Sequence, residues 1–163
     1  MIEVDTPEVY GYTIFCDDIR FEQQGKITLV GIYGGSLIIH GEFPTTLPKF
    51  GIHVNFRQHK SAYASGLKLL IFLPGDSEEK ASFEIEMDSP PDAVDGLPPT
   101  MSVVGTIANV VLSPLVLPTT GPIKVRMIRD GKLYKLGSLF VEAIASNDSQ
   151  SSSEQSPPVA RGS

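Results

Sequence analysis

Between Tyr10 and Ile144 the apolar residues recur at every second position, and that period governs what the chain can fold into. Successive side chains of an extended strand point to opposite faces, so this alternation marks strands with one buried face, whereas a helical stripe repeats every third or fourth residue. Phe50, Ile52, Val54 and Phe56 alternate with Gly51, His53, Asn55 and Arg57. Ala81, Phe83, Ile85 and Met87 alternate with Lys80, Ser82, Glu84, Glu86 and Asp88, and Ile123, Val125 and Met127 continue the pattern. Further strands are expected at Tyr10–Cys16, Lys26–Tyr33, Ser36–His40, Leu67–Leu73, Met101–Leu112 and Leu133–Ile144. No segment carries a helical stripe.

Between these runs stand Gly34-Gly35, Phe43-Pro44, Pro74-Gly75, Pro90-Pro91, Pro98-Pro99, Ser113-Pro114 and Gly121-Pro122, all turn or breaker dipeptides. The sharpest is Arg129-Asp130-Gly131-Lys132, because Asp-Gly accepts the two positive φ angles of a type I′ turn and so predicts a hairpin. About nine short strands without crossover helices predict an all-β fold, an antiparallel two-sheet β-sandwich of immunoglobulin-like or related kind, with a closed barrel as the alternative. The chain of 163 residues suits one domain, expected at 1–145. The remaining 146–163 hold seven serines and the Pro157-Pro158 pair without an aromatic residue, so a disordered tail is expected there.

Thirteen basic against nineteen acidic residues give a net charge of -6, which opposes general binding to nucleic acid. One cysteine cannot form an internal disulfide and cannot build a cysteine-rich zinc site, which fits a reducing cytoplasm. The opening Met1-Ile2-Glu3-Val4-Asp5 has no basic or long apolar stretch, and Leu67–Leu73 is far too short to cross a bilayer, so neither export nor a membrane role is expected.

Phe15-Cys16-Asp17-Asp18-Ile19-Arg20, followed by Gly25-Lys26-Ile27-Thr28-Leu29-Val30-Gly31-Ile32-Tyr33-Gly34, resembles the opening of a family of small uncharacterised bacterial proteins, a domain of unknown function. Ile123–Arg126, Asp130-Gly131 and Leu139-Phe140-Val141 resemble its closing hairpin. The resemblance implies a compact domain of bacterial or phage-like origin and carries over no catalytic residue.

Two clusters can hold a ligand. Asp17 and Asp18, read as the end of the first strand, would share one end of the fold with Asp76 if every connection reversed the chain, and carboxylates from separate loops are what a hard cation such as calcium takes. The competing reading is that they stabilise turns. His53, Arg57, His59 and Lys60 form the only local surplus of positive charge and can hold an anion or an acidic partner, although polar side chains on an exposed strand face need no ligand. Cys16 shares a strand face with Ile14 and reads as a small core residue; a nucleophile would need one of His40, His53 or His59 as its base, and no motif ties them together. Gly31–Ser36 lacks the lysine and helix of a phosphate loop and reads as a turn or bulge. With no cofactor fingerprint and no acid, base and nucleophile set, the expectation is a non-enzymatic module that binds a protein partner or self-associates. A small-ligand or cation-binding domain is the alternative, and a hydrolase comes third.

Overall fold

The computed structural model describes residues 7–144. The expected disordered tail lies outside the described residues. The chain forms eleven strands: β1 (Val9–Phe21), β2 (Ile27–Ile32), β3 (Ser36–His40), β4 (Thr45–Leu47), β5 (Phe50–His59), β6 (Gly66–Phe72), β7 (Phe83–Asp88), β8 (Val103–Leu112), β9 (Leu115–Leu117), β10 (Gly121–Arg129) and β11 (Lys132–Ile144). Its only helical pieces among the described residues are single 3-10 turns at Gln23–Gly25 and Lys60–Ala62.

The strands form a four-stranded sheet of order β2-β1-β5-β8, a five-stranded sheet of order β3-β11-β10-β6-β7, and the small β4-β9 pair. All pairs are antiparallel except β3 with β11, where Ser36 to His40 run alongside Phe140 to Ile144 in parallel. Three expectations are thereby corrected. Eleven strands replace nine, because β4 and β9 are three residues each, too short to display an alternation, and lie between Pro44 and Pro48 and between Pro114 and Pro118. The sheets are not uniformly antiparallel, since β3 joins a strand about a hundred residues away. No barrel closes among the described residues, because each sheet ends in strands paired on one side only.

The alternation sets the faces. Phe50, Ile52, Val54 and Phe56 of β5 meet Leu67, Leu69 and Ile71 of β6 and Ile123, Val125 and Met127 of β10 in one buried core. Phe83, Ile85 and Met87 face this core from β7, while Glu84, Glu86 and Asp88 are exposed. Burying each such side chain contributes about 1.5–3 kcal/mol. Gly11 of β1 leaves no room for a side chain: a Cβ there would lie 2.8 Å from the Asn55 carbonyl oxygen of β5 and 3.0 Å from the Leu136 side chain of β11. The Asp-Gly turn forms as expected, with Arg129 paired to Lys132 and φ of 49° at Asp130 and 70° at Gly131.

At one end the core is closed by polar groups. Gln58, fully buried on the inward face of β5, accepts from Arg129 Nε at 2.7 Å and from the Ala64 N–H at 3.1 Å, and donates to the Ala64 carbonyl at 3.1 Å. Arg129 also donates to the Ala62 carbonyl. These bonds satisfy groups that would otherwise be buried at a cost of about 1–3 kcal/mol each.

Asp17 and Asp18 do not end the first strand. β1 runs on to Phe21, because Asp18 to Phe21 pair with Val30 to Ile27 of β2, and charged side chains are tolerated where a strand faces water.

Candidate functional site

The register of the four-stranded sheet assembles its outward face. Tyr10, Tyr12 and Ile14 of β1 lie opposite Arg57, Asn55 and His53 of β5, which lie in turn opposite Gly105, Ile107 and Asn109 of β8. The intervening residues face the core, so these nine side-chain positions share one surface. Tyr12 is 46% exposed and Ile107 55%. Neither β5 nor β8 contributes a carboxylate to this surface, in a chain whose net charge is -6.

Arg57 is half-buried at the centre of one end of this face. Its Nε donates to Asn55 Oδ1 at 2.7 Å. Its side chain lies over Gly105, where a Cβ would stand 3.3 Å from Cδ, Cζ and Nε. Glycine is therefore what lets the flat guanidinium settle on the neighbouring strand. Among the described residues neither Nη atom donates a hydrogen bond, and no carboxylate pairs with the group. A guanidinium fixed by one bond and open at the other two nitrogens presents a planar fork, the geometry that takes an oxyanion in a bidentate pair.

The other residues of the basic cluster are differently placed. His53 is buried and its Nδ1 lies 2.7 Å from Asn109 Oδ1. His59 caps the 3-10 turn after β5, with Nδ1 2.7 Å from Ser61 Oγ and accepting from the Ser61 N–H at 3.4 Å. Lys60 Nζ donates to the Leu97 carbonyl at 3.3 Å. Of the four, Arg57 alone lies over Gly105 on the neighbouring strand, with both Nη atoms unbonded among the described residues.

The three aspartates hold protein donors. Asp76 Oδ2 accepts from Leu73 N–H, Ser82 N–H and Ser82 Oγ at 2.8, 2.9 and 2.7 Å, which ties off the loop between β6 and β7. Asp18 pairs with Lys49 at 3.0 Å and Arg20 at 3.8 Å, and the bond from Lys49 holds its carboxyl below the usual carboxylate range. Asp17 accepts from the Tyr33 hydroxyl. No group of three His, Cys, Asp or Glu able to hold a metal ion occurs among the described residues, so the fold does not bring Asp17, Asp18 and Asp76 together as one cation site.

Cys16 is fully buried, and its thiol donates to the Asp18 carbonyl at 3.4 Å and to the Gly51 carbonyl at 3.7 Å. Burial pushes the thiol pKa up, which keeps it protonated.

A cleft of about 230 Å³ opens beside β2, at the other edge of the sheet from β8. Thr13, Tyr33, Gly34, Gly35, Gly137 and Ser138 are among its lining residues, none of them charged. Thr13 Oγ1 is buried without a hydrogen-bond partner among the described residues. At the same end Gly31 has φ of 67°, and a Cβ there would fall 2.0 Å from Asp17 Oδ2, yet β1 and β2 keep one register on either side of it, so no bulge forms at this glycine.

These features describe an all-β domain with a mixed polar and apolar sheet face that carries Arg57 at one end, beside an edge strand with no second partner among the described residues. The chain belongs to the DUF6941 family, a family of unknown function, which it matches over residues 11–142. That span contains both stretches on which the resemblance rested. No curated protein matches the chain, and no solved structure does.

In the sequence Arg57 stands as one of four basic residues, and Gly105, inside a long apolar strand, marks a bulge or a site of close backbone approach. That the two touch follows only from the pairing of β5 with β8.

Proposed function

We propose that the protein is a non-enzymatic interaction module, a two-sheet β-sandwich of immunoglobulin-like or related kind, that takes an extended strand of a protein partner or of a second copy onto the edge of β8. The observation that carries this reading is β8 itself: ten residues, Val103–Leu112, without proline or charge, paired on one side with β5 and on the other with nothing among the described residues. Sheet edges are usually blunted by shortness, charge or bulges, because a row of free N–H and C=O groups is a template for another chain. The other edges follow that rule. β3 has five residues, β2 has six with Gly31 at positive φ, and β7 carries Glu84, Glu86 and Asp88.

Strand addition supplies main-chain hydrogen bonds for affinity and side-chain pockets for selectivity. Ala108, Val110 and Leu112 support the reading, since they pack on the core yet stay partly exposed along this edge. The buried, protonated Cys16 is in keeping with a reducing compartment such as the cytoplasm.

The test is light scattering after size-exclusion chromatography, combined with titration by extended apolar peptides. A second copy or a peptide is expected to bind the native chain and to be lost in Ile107→Lys, with the fold retained. A strict monomer that binds no extended peptide would overturn the reading.

A further inference from the structure

We infer that the strand accepted by β8 carries a single carboxylate side chain, which reaches over Gly105 to the open fork of Arg57; this rests on the reading of β8 as a docking edge. A strand added to β8 continues the ladder, so one of its residues stands opposite Gly105 on the outward face. Neighbouring strands are about 4.8 Å apart, which places that residue's Cα roughly 10 Å from the Arg57 Cα, a span that an arginine and a glutamate side chain bridge together. Any residue other than glycine at 105 would raise a side chain between the two. Gly105 is thus a window from the edge of the sheet to the guanidinium.

The charge required follows from what surrounds Arg57. Its Nε is already bonded to Asn55, its remaining donors have no acceptor among the described residues, and the outward faces of β5 and β8 are free of acids. Lys60, His59 and His53 make their bonds to Leu97, Ser61 and Asn109, and Arg57 is the cation that rests on Gly105, so one unit of positive charge stands at the window. A singly charged carboxylate matches it. Apolar residues two positions to either side of the acid would stand opposite Val103 and Ile107.

The inference also selects against a second copy as the preferred occupant. In a two-fold antiparallel pairing of β8 centred on Ile107, Asn109 of one copy falls opposite Gly105 of the other, and an amide offers no charge to the fork.

The probe is a capped heptapeptide of alternating threonine and valine with one central glutamate, and its control replaces the glutamate with glutamine. Binding is measured by isothermal titration calorimetry to the full chain, to Arg57→Gln and to Gly105→Val, each checked for native circular dichroism. A charge-assisted bidentate pair predicts that the glutamate peptide binds wild type at least about tenfold tighter than its control, with the preference shrinking as salt is added. Both variants are expected to lose that preference while still binding each peptide weakly, since Arg57→Gln removes the fork and Gly105→Val closes the window. Equal binding of the two peptides to wild type, or a glutamate preference that survives Arg57→Gln, would refute the carboxylate inference and leave the docking edge standing. Failure of both peptides to bind wild type would refute both.

Discussion

The two ends of the four-stranded sheet are built on opposite principles. At the β2 end the chain is locked: Gly31 takes a φ of 67° beneath the Asp17 carboxylate, the Tyr33 hydroxyl donates to that carboxylate, and Thr28 donates to Glu22 at 3.0 Å. Three residues after β2 ends, the chain enters β3 and the other sheet. At the β8 end ten residues run straight to Leu112 with no charge and no proline, and Arg57 lies on the glycine next to the open side. One end is specified by local polar bonds and cannot extend. The other is specified only by pairing with β5 and can, which is why the proposed docking is placed there. β7, the end strand of the second sheet, shows the ordinary defence, with Lys68 held between Glu84 at 3.6 Å and Glu86 at 2.8 Å on its solvent face.

The same substitution at the two ends separates them most sharply. Gly31→Val forces a branched side chain into the left-handed region and onto Asp17, and is expected to lower stability by about 2–4 kcal/mol. Gly105→Val meets only the flexible end of Arg57 and is expected to cost less than about 1 kcal/mol. Thermal melts of the two variants check this; equal melting temperatures would erase the distinction between a locked and an open end.

A smaller effect is expected at Tyr33. Desolvation, together with its bond to Asp17, raises the phenol pKa well above the ordinary value of about 10. The folded state therefore holds this proton where the unfolded state releases it, so the stabilisation is complete below about pH 10 and is lost as pH rises beyond it. Tyr33→Phe is expected to cost about 1 kcal/mol at neutral pH and to flatten the alkaline decline. Denaturant midpoints measured at neutral pH and again in the alkaline range would show it, and an unchanged slope in the variant would remove Tyr33 from the lock.

The smallest stability changes are expected where the association changes are largest. Ile107→Lys on β8 should leave stability within about 0.5 kcal/mol while abolishing strand docking. Conversely, Glu84→Val with Glu86→Val strips the defence from β7 and should make the chain self-associate through that edge. Light scattering reads both, and a monomeric β7 variant would mean that charge is not what keeps this edge free.

Much of the fold was legible in the residues. The inward turn of Phe83, Ile85 and Met87, the Asp130-Gly131 hairpin and the bounds of Ser36–His40 are properties of neighbouring residues, set by side-chain alternation and allowed φ angles. β4 and β9 were not, because three residues hold no period. β1 was read too short, since Asp17-Asp18 has turn chemistry and only the β2 partner keeps the backbone extended through it. Of the candidate site, Arg57 stands beside His53, His59 and Lys60 in the sequence, but nothing in the local pattern could tell which of the four rests on Gly105.

What the chain determined by itself was therefore which residues extend, where it reverses and which face meets the core, because each depends on contacts a few positions away. The tertiary structure alone decided that β3 lies parallel to β11, that Asp76 stays apart from Asp17 and Asp18, and that Arg57 rests on Gly105. Those outcomes depend on strand register between segments tens of residues apart, where the choice among pairings is made by burying one shared core rather than by any local preference.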